Sequence, residues 1–164
     1  MSVLHVELTP SAGTTRVALT GDLTEHADFA AVRALESPEI VFDLRAVRRI
    51  NSCGVREWIR LMEALRAARC ALLLEHCSVP FVNQMNMIVN FVGDARVGSF
   101  YAPYLCERCD HEYVEFCELP AGGVPALRES TPCPRCGEAA PFDDIPDAYL
   151  LFVRSSRTPR DRAP

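Results

Sequence analysis

The chain reads as an α/β fold in which a small mixed sheet flanked by helices is followed by a smaller β unit organised by cysteines. Three observations point there. Val3 to Leu8 alternates apolar and polar positions and Arg16 to Thr20 reads as a second strand, on either side of the turn Thr9-Pro10-Ser11-Ala12-Gly13, which predicts a hairpin. After the apolar run Glu39 to Leu44 the period lengthens, and Val55, Trp58, Ile59, Met62 and Leu65 recur at helical spacing. Further on, Cys106-x-x-Cys109 and Cys133-x-x-Cys136 lie 23 residues apart, which is a metal-ligand pattern.

With 164 residues, 49% of them hydrophobic, the chain can bury one core, or one core and a small appendix, and disorder throughout is excluded. All 17 basic residues are Arg, which points to a GC-rich, bacterial coding bias. No run of about 18 apolar residues occurs, and Met1 to Glu7 has neither the basic nor the apolar region of a signal peptide. A cytoplasmic protein is expected, and there eight cysteines serve as metal ligands or buried thiols rather than as disulfides.

Taken in order, the hairpin is followed by the break Gly21-Asp22-Leu23-Thr24 and by a helical pattern over 28–35, with Phe29, Val32 and Leu35 inward. Glu39 to Leu44 is β-branched and nearly all apolar, as a strand covered on both faces is. A turn and a helix from about Ser52 to before Cys70 follow, with Arg56, Glu57, Arg60, Glu63 and Arg66 on the outer side. Ala71 to Glu75 returns to strand. Ser78 and Pro80 mark the next helix start, and Phe81, Met85, Ile88 and Val89 are its expected inner face. Between Cys77 and Gly93 there is no charged residue. Either this is a core helix with Asn83, Gln84, Asn86 and Asn90 outside, or it presents a face that binds a partner, because interface cores are depleted in charge.

Three segments carry a resemblance: Val17-Ala18-Leu19-Thr20-Gly21-Asp22-Leu23, Ile40-Val41-Phe42-Asp43-Leu44-Arg45-Ala46-Val47 and Ile50-Asn51-Ser52-Cys53-Gly54-Val55. Together they resemble the STAS domain of anti-sigma factor antagonists and sulfate transporters, over about residues 3–100. In the antagonist branch an Asp-Ser-Ser/Thr-Gly turn opens a helix, and its first hydroxyl is phosphorylated by an anti-sigma factor kinase. The resemblance places that hydroxyl at Ser52, with Asn51, Cys53 and Gly54 as the supporting turn. Asn51 stands where the family has Asp, and Cys53 where it has a second hydroxyl residue. It also implies a protein partner, namely a serine kinase acting as anti-sigma factor, or a phosphatase.

The chemistry agrees with either of two roles for this turn. The free N–H groups and positive end of a helix dipole can receive a phosphate bringing about −2 charge. Equally, Asn51 or Ser52 can be no more than the residue that caps the helix. Cys53, Cys70 and Cys77 read as small buried thiols.

Tyr104-Leu105-Cys106-Glu107-Arg108-Cys109-Asp110 and Thr131-Pro132-Cys133-Pro134-Arg135-Cys136-Gly137 are paired knuckles. Two such turns close a tetrahedron around one structural zinc, with thiolates about 2.3 Å from the ion and no open position. His111 to Leu119 alternates as a strand, Pro120 to Pro125 is a loop, and Tyr149-Leu150-Leu151-Phe152-Val153 reads as a further strand. This is the layout of a zinc ribbon, in which Cys117 and His111 are not needed as ligands.

Charge argues about partners. Residues 1–100 carry 11 acidic and 10 basic side chains, residues 101–150 carry 10 and 3, and residues 151–164 carry 1 and 4, giving −1, −7 and +3. Zinc bound by four thiolates adds about −2 more to the ribbon. Phosphate binding requires a basic surface, so nucleic acid is disfavoured, and a membrane partner is not expected.

The expected organisation is therefore a STAS-like domain over 1–100, a zinc ribbon over 101–154 and a disordered tail over 155–164. Lacking a His-centred triad, a Walker-type loop or an open metal site, the chain reads as a non-enzymatic regulatory adaptor. The other reading is a scaffold that self-associates, with the cysteine unit as a stabilising appendix.

Overall fold

The computed structural model describes residues 3–155. Of the tail expected over 155–164, all but Ser155 lies outside the described residues.

β1 (His5–Ser11) and β2 (Thr14–Leu23) form the expected antiparallel hairpin, with His5 opposite Thr20 and Ser11 opposite Thr14. The turn is shorter than the sequence implied, because Thr9, Pro10 and Ser11 remain in the strand and only Ala12-Gly13 reverse the chain. Pro10 is tolerated there because β1 is an edge strand. Gly13 supplies the left-handed φ of +77° that the tight reversal requires.

β3 (Glu39–Ile50), β4 (Ala71–Glu75) and β5 (Arg96–Val97) add in parallel, giving a five-stranded mixed sheet ordered β1-β2-β3-β4-β5. Parallel neighbours need crossover connections. These contain α1 (Ala30–Arg33), α2 (Ser52–Ala67) and α3 (Val79–Met87). β3 runs six residues past Leu44, where the sequence suggested that the strand ended. Its last half pairs with β2 alone, from Ala46 opposite Thr20 to Ile50 opposite Leu23, so Arg45, Arg48 and Arg49 can stay exposed while Val47 is buried.

Trp58 in α2 joins the layers. Its ring lies edge-on to Phe42 of β3 at 5.2 Å and to Phe81 of α3 at 5.1 Å, with Phe29 and Phe91 at 6.3 and 6.1 Å. The buried indole N–H donates to the Phe91 carbonyl at 2.9 Å. The opposite side of the sheet is polar, where Arg16 pairs with Glu75 at 2.8 Å and Arg45 with Asp43 at 2.9 Å. Burial tends to push the Asp43 carboxyl up, but the Arg45 guanidinium and backbone N–H hold it below the usual carboxylate range.

β6 (Ser99–Cys106) and β7 (His111–Glu118) form a second hairpin, β8 (Ser130–Pro132) and β9 (Ala139–Pro141) a third. The chain then turns into α4 (Pro146–Tyr149) and α5 (Leu151–Ser155). The run Tyr149 to Val153 is thus helical, not a strand. Tyr149, Phe152 and Val153 are buried at helical spacing while Leu151 is exposed, and Pro146 starts the first of the two turns.

One apolar cluster runs from Leu4 to Val153, so the C-terminal helices share the core of the sheet. Phe100 meets Phe152 at 5.3 Å, and Asn86 of α3 brackets the joint, donating to the Tyr149 carbonyl and accepting from the Phe152 N–H. Asn86 was expected on an outer face, and Val89 on the inner one. Instead Val89 is 86% exposed, because α3 ends at Met87 and the chain leaves the helical path there. Among the described residues no helix is long and apolar enough to cross a membrane.

Candidate functional site

Ser52 begins α2 directly after β3, with no intervening turn. Asn51 is the capping residue. Its backbone is extended, its Oδ1 accepts from the Gly54 N–H at 2.8 Å and its own N–H donates to the Leu23 carbonyl at 3.1 Å. The other half of the amide, Nδ2, donates to Glu25 Oε2 at 2.9 Å, and this bond is the largest influence holding the Glu25 carboxyl below its usual range. An Asp at position 51 can cap equally well but would set two carboxylates against each other. Asn51 therefore has a local reason, which Glu25, 26 positions away, hid from the sequence.

Gly54 holds the helix start against the sheet. A Cβ there would stand 2.0 Å from the Leu23 carbonyl oxygen, a distance no side chain can occupy. Asn51 and Gly54 together fix the first turn, and Ser52 lies on it exposed to solvent. Cys53 and Cys70 are only partly buried, whereas Cys77 is fully so, and burial pushes its thiol far up.

The second candidate site is the four-cysteine cluster. Cys106 closes β6, and the Asp110 N–H returns to its carbonyl at 2.8 Å; in the other knuckle the Gly137 N–H returns to the Cys133 carbonyl at 2.9 Å. The residue after the second cysteine is left-handed in both, Asp110 at φ +55° and Gly137 at φ +77°. Both are residue types that adopt this conformation at low cost. The equivalence was visible in the sequence only as position, because Asp does not announce a left-handed turn as Gly does.

These turns bring the sulfurs of Cys106, Cys109, Cys133 and Cys136 all within 4.8 Å of one another. Cys106 faces Cys136 at 3.4 Å and Cys109 faces Cys133 at 3.6 Å. A metal with thiolates at about 2.3 Å in a tetrahedron needs sulfurs about 3.8 Å apart, so the donor set fits a closed four-coordinate ion. The Arg135 N–H points at Cys133 Sγ at 3.4 Å, the bond that stabilises a ligating thiolate. Although burial opposes it, the N–H groups of Cys136 and Arg135 bring the Cys133 thiol down to about 7. Burial and the neighbouring sulfurs push Cys109 up to about 12. An ion pair between Arg108 and Glu138 ties one knuckle to the other. Neither His111 nor Cys117 joins the cluster, and His111 stacks on Tyr113 instead.

The fold and this cluster define a mixed α/β protein with four cysteines placed so that they could hold one metal ion. Compared with known proteins, the chain matches no family model and no curated relative.

Proposed function

We propose that the protein is a non-enzymatic regulatory adaptor, similar in kind to anti-sigma factor antagonists, which binds a protein partner through the start of α2 and is switched by phosphorylation of Ser52. The observation that carries this is the exposure of Ser52 on a helix start held rigid by Asn51 and by the close approach of Gly54 to Leu23. A phosphate there meets the N-terminal end of a 16-residue helix, where its charge is favoured and where it changes the surface without disturbing the core. The partner in this reading is a serine kinase acting as anti-sigma factor, or a phosphatase. The protein works in the cytoplasm.

In the same reading one structural zinc occupies the four cysteines and makes the two hairpins a zinc ribbon. The ion offsets half the charge of four crowded thiolates and leaves no position for substrate. A scaffold without a switch is the second reading, favoured by Met87 and Val89, which are 75% and 86% exposed within the uncharged segment.

The test is a pair of substitutions, Ser52→Ala and Ser52→Asp, assayed by pulldown for a kinase or phosphatase and by mass spectrometry for phosphate at Ser52. The adaptor reading expects Ser52→Asp to weaken the capture that Ser52→Ala preserves. If neither variant alters binding and no phosphate is found on Ser52, the switch is absent. Metal analysis of the purified chain checks for one zinc per molecule.

A further inference from the structure

Among the described residues β7 pairs with β6 alone, and its other edge is open. The register shows which groups face outward. The Leu119 N–H donates to the Gly98 carbonyl at 2.9 Å, and in an antiparallel pair such bonds recur at every second residue. His111, Tyr113, Glu115 and Cys117 thus bond β6, and the backbone N–H and C=O groups of Glu112, Val114, Phe116 and Glu118 point away from it. The side chains of these four residues lie on the more exposed face, with Val114 and Phe116 half exposed. Phe116 stands across from Tyr101, and Val114 from Pro103, so the apolar centre spans both strands. Alongside residues 115–118 opens a cleft of about 580 Å³, walled on its far side by Val124, Ala126 and Arg128.

An open edge with alternate apolar side chains is the geometry that accepts an added strand. Charge selects the occupant. A second copy of β7, paired antiparallel about Glu115, would set Glu112 against Glu118 and Glu115 against itself, and like charges directly opposite destabilise a pair. The same three glutamates attract a strand that carries cations opposite them.

We propose that the β7 edge is a docking site for an extended basic segment of a partner protein, held by main-chain bonds to Glu112, Val114, Phe116 and Glu118, with apolar side chains beside Val114 and Phe116 and cations beside Glu112, Glu115 and Glu118. The site is distinct from Ser52 and stands or falls apart from it.

The probe is the peptide Arg-Thr-Val-Arg-Val-Thr-Arg, which presents this pattern in either direction, titrated into the full chain with zinc. Amide resonances of residues 112–118 are expected to shift, and the same peptide N-methylated at alternate amides, with unchanged charge, is expected to bind about tenfold or more weakly. Val114→Pro removes one outward N–H and leaves the bonds to β6 in place, and should weaken binding similarly. Equal affinity for the methylated peptide overturns the proposal, since attraction would then be charge alone, and this arm requires no variant to fold. So does the absence of shifts at about 1 mM peptide. Concentration-dependent dimerisation that Val114→Pro abolishes would give the edge to a second copy instead and equally overturn it.

Discussion

Around Trp58 the sheet and α2 bury a continuous apolar core, whereas among the described residues the cluster around Cys106 buries only Cys106, Cys133 and Ala140, with Cys109 and Tyr113 packed against it. The first region meets the ordinary requirement for folding, burial of apolar surface at roughly 25 cal/mol per Å². In the second, two short hairpins have too little to bury, and their tips are held by the cysteines and by the Arg108–Glu138 ion pair. What keeps it from being independent is the base of the β6–β7 hairpin, where Phe100, Ala102 and Tyr104 belong to the larger core. The difference separates what makes each region fold from what joins them, and each can be removed on its own.

Removal of the proposed metal should give the largest effect. Structural zinc contributes on the order of 10 kcal/mol to the folding of small zinc units, and the knuckles have little else. Chelation, or Cys106→Ser, is expected to abolish amide protection across 106–141 while leaving the emission of Trp58, the only tryptophan, unchanged. Parallel loss of both signals would show one cooperative unit in place of two supports.

Next in size is Trp58→Ala. Deleting a fully buried ring that meets four others, together with its bond to Phe91, is expected to cost about 3 to 5 kcal/mol in denaturant titration. The metal affinity of the cysteine cluster should be unaltered if that site assembles locally. Gly54→Ala follows at about 3 kcal/mol, since the added methyl overlaps the Leu23 carbonyl and backbone must move. A melting temperature equal to the parent's would mean that α2 shifts freely on the sheet.

Asn86→Ala tests the joint itself. It removes a donor to Tyr149 and an acceptor from Phe152, both partly buried, for about 2 kcal/mol. Hydrogen exchange should report the loss over α4 and α5 first, with the sheet following only at higher denaturant.

How much of this was legible depends on whether the signal was local. Period 2 in Val3 to Leu8 and period 3.6 from Val55 give the hairpin and α2, because each residue reports its own burial. Cysteine spacing likewise encodes the knuckles. Tyr149 to Val153 misled because five apolar residues in a row fit a strand or a buried helix equally, and only Phe100 and Asn86, distant in sequence, select the helix. The open edge of β7 could not be read at all, since an edge is a property of what the rest of the chain leaves unpaired.

Asn51→Asp gives the smallest effect and bears most directly on the helix start. Asp keeps the acceptor that caps Gly54, so α2 should remain intact. What changes is Glu25, whose carboxyl now lies below its usual range because Asn51 donates to it. A folded-state pKa below the unfolded value means that Glu25 stabilises the native state above the unfolded pKa and loses that contribution as pH falls through the lowered one. With Asp at position 51 the donor becomes a second carboxylate, so the Glu25 pKa should rise from its lowered position, and the stability that Glu25 contributes above it should shrink. NMR titration of the Glu25 side chain in the two proteins measures the shift directly. An unchanged titration would mean that the amide of Asn51 does not act on Glu25, and that its presence in place of Asp has some other cause.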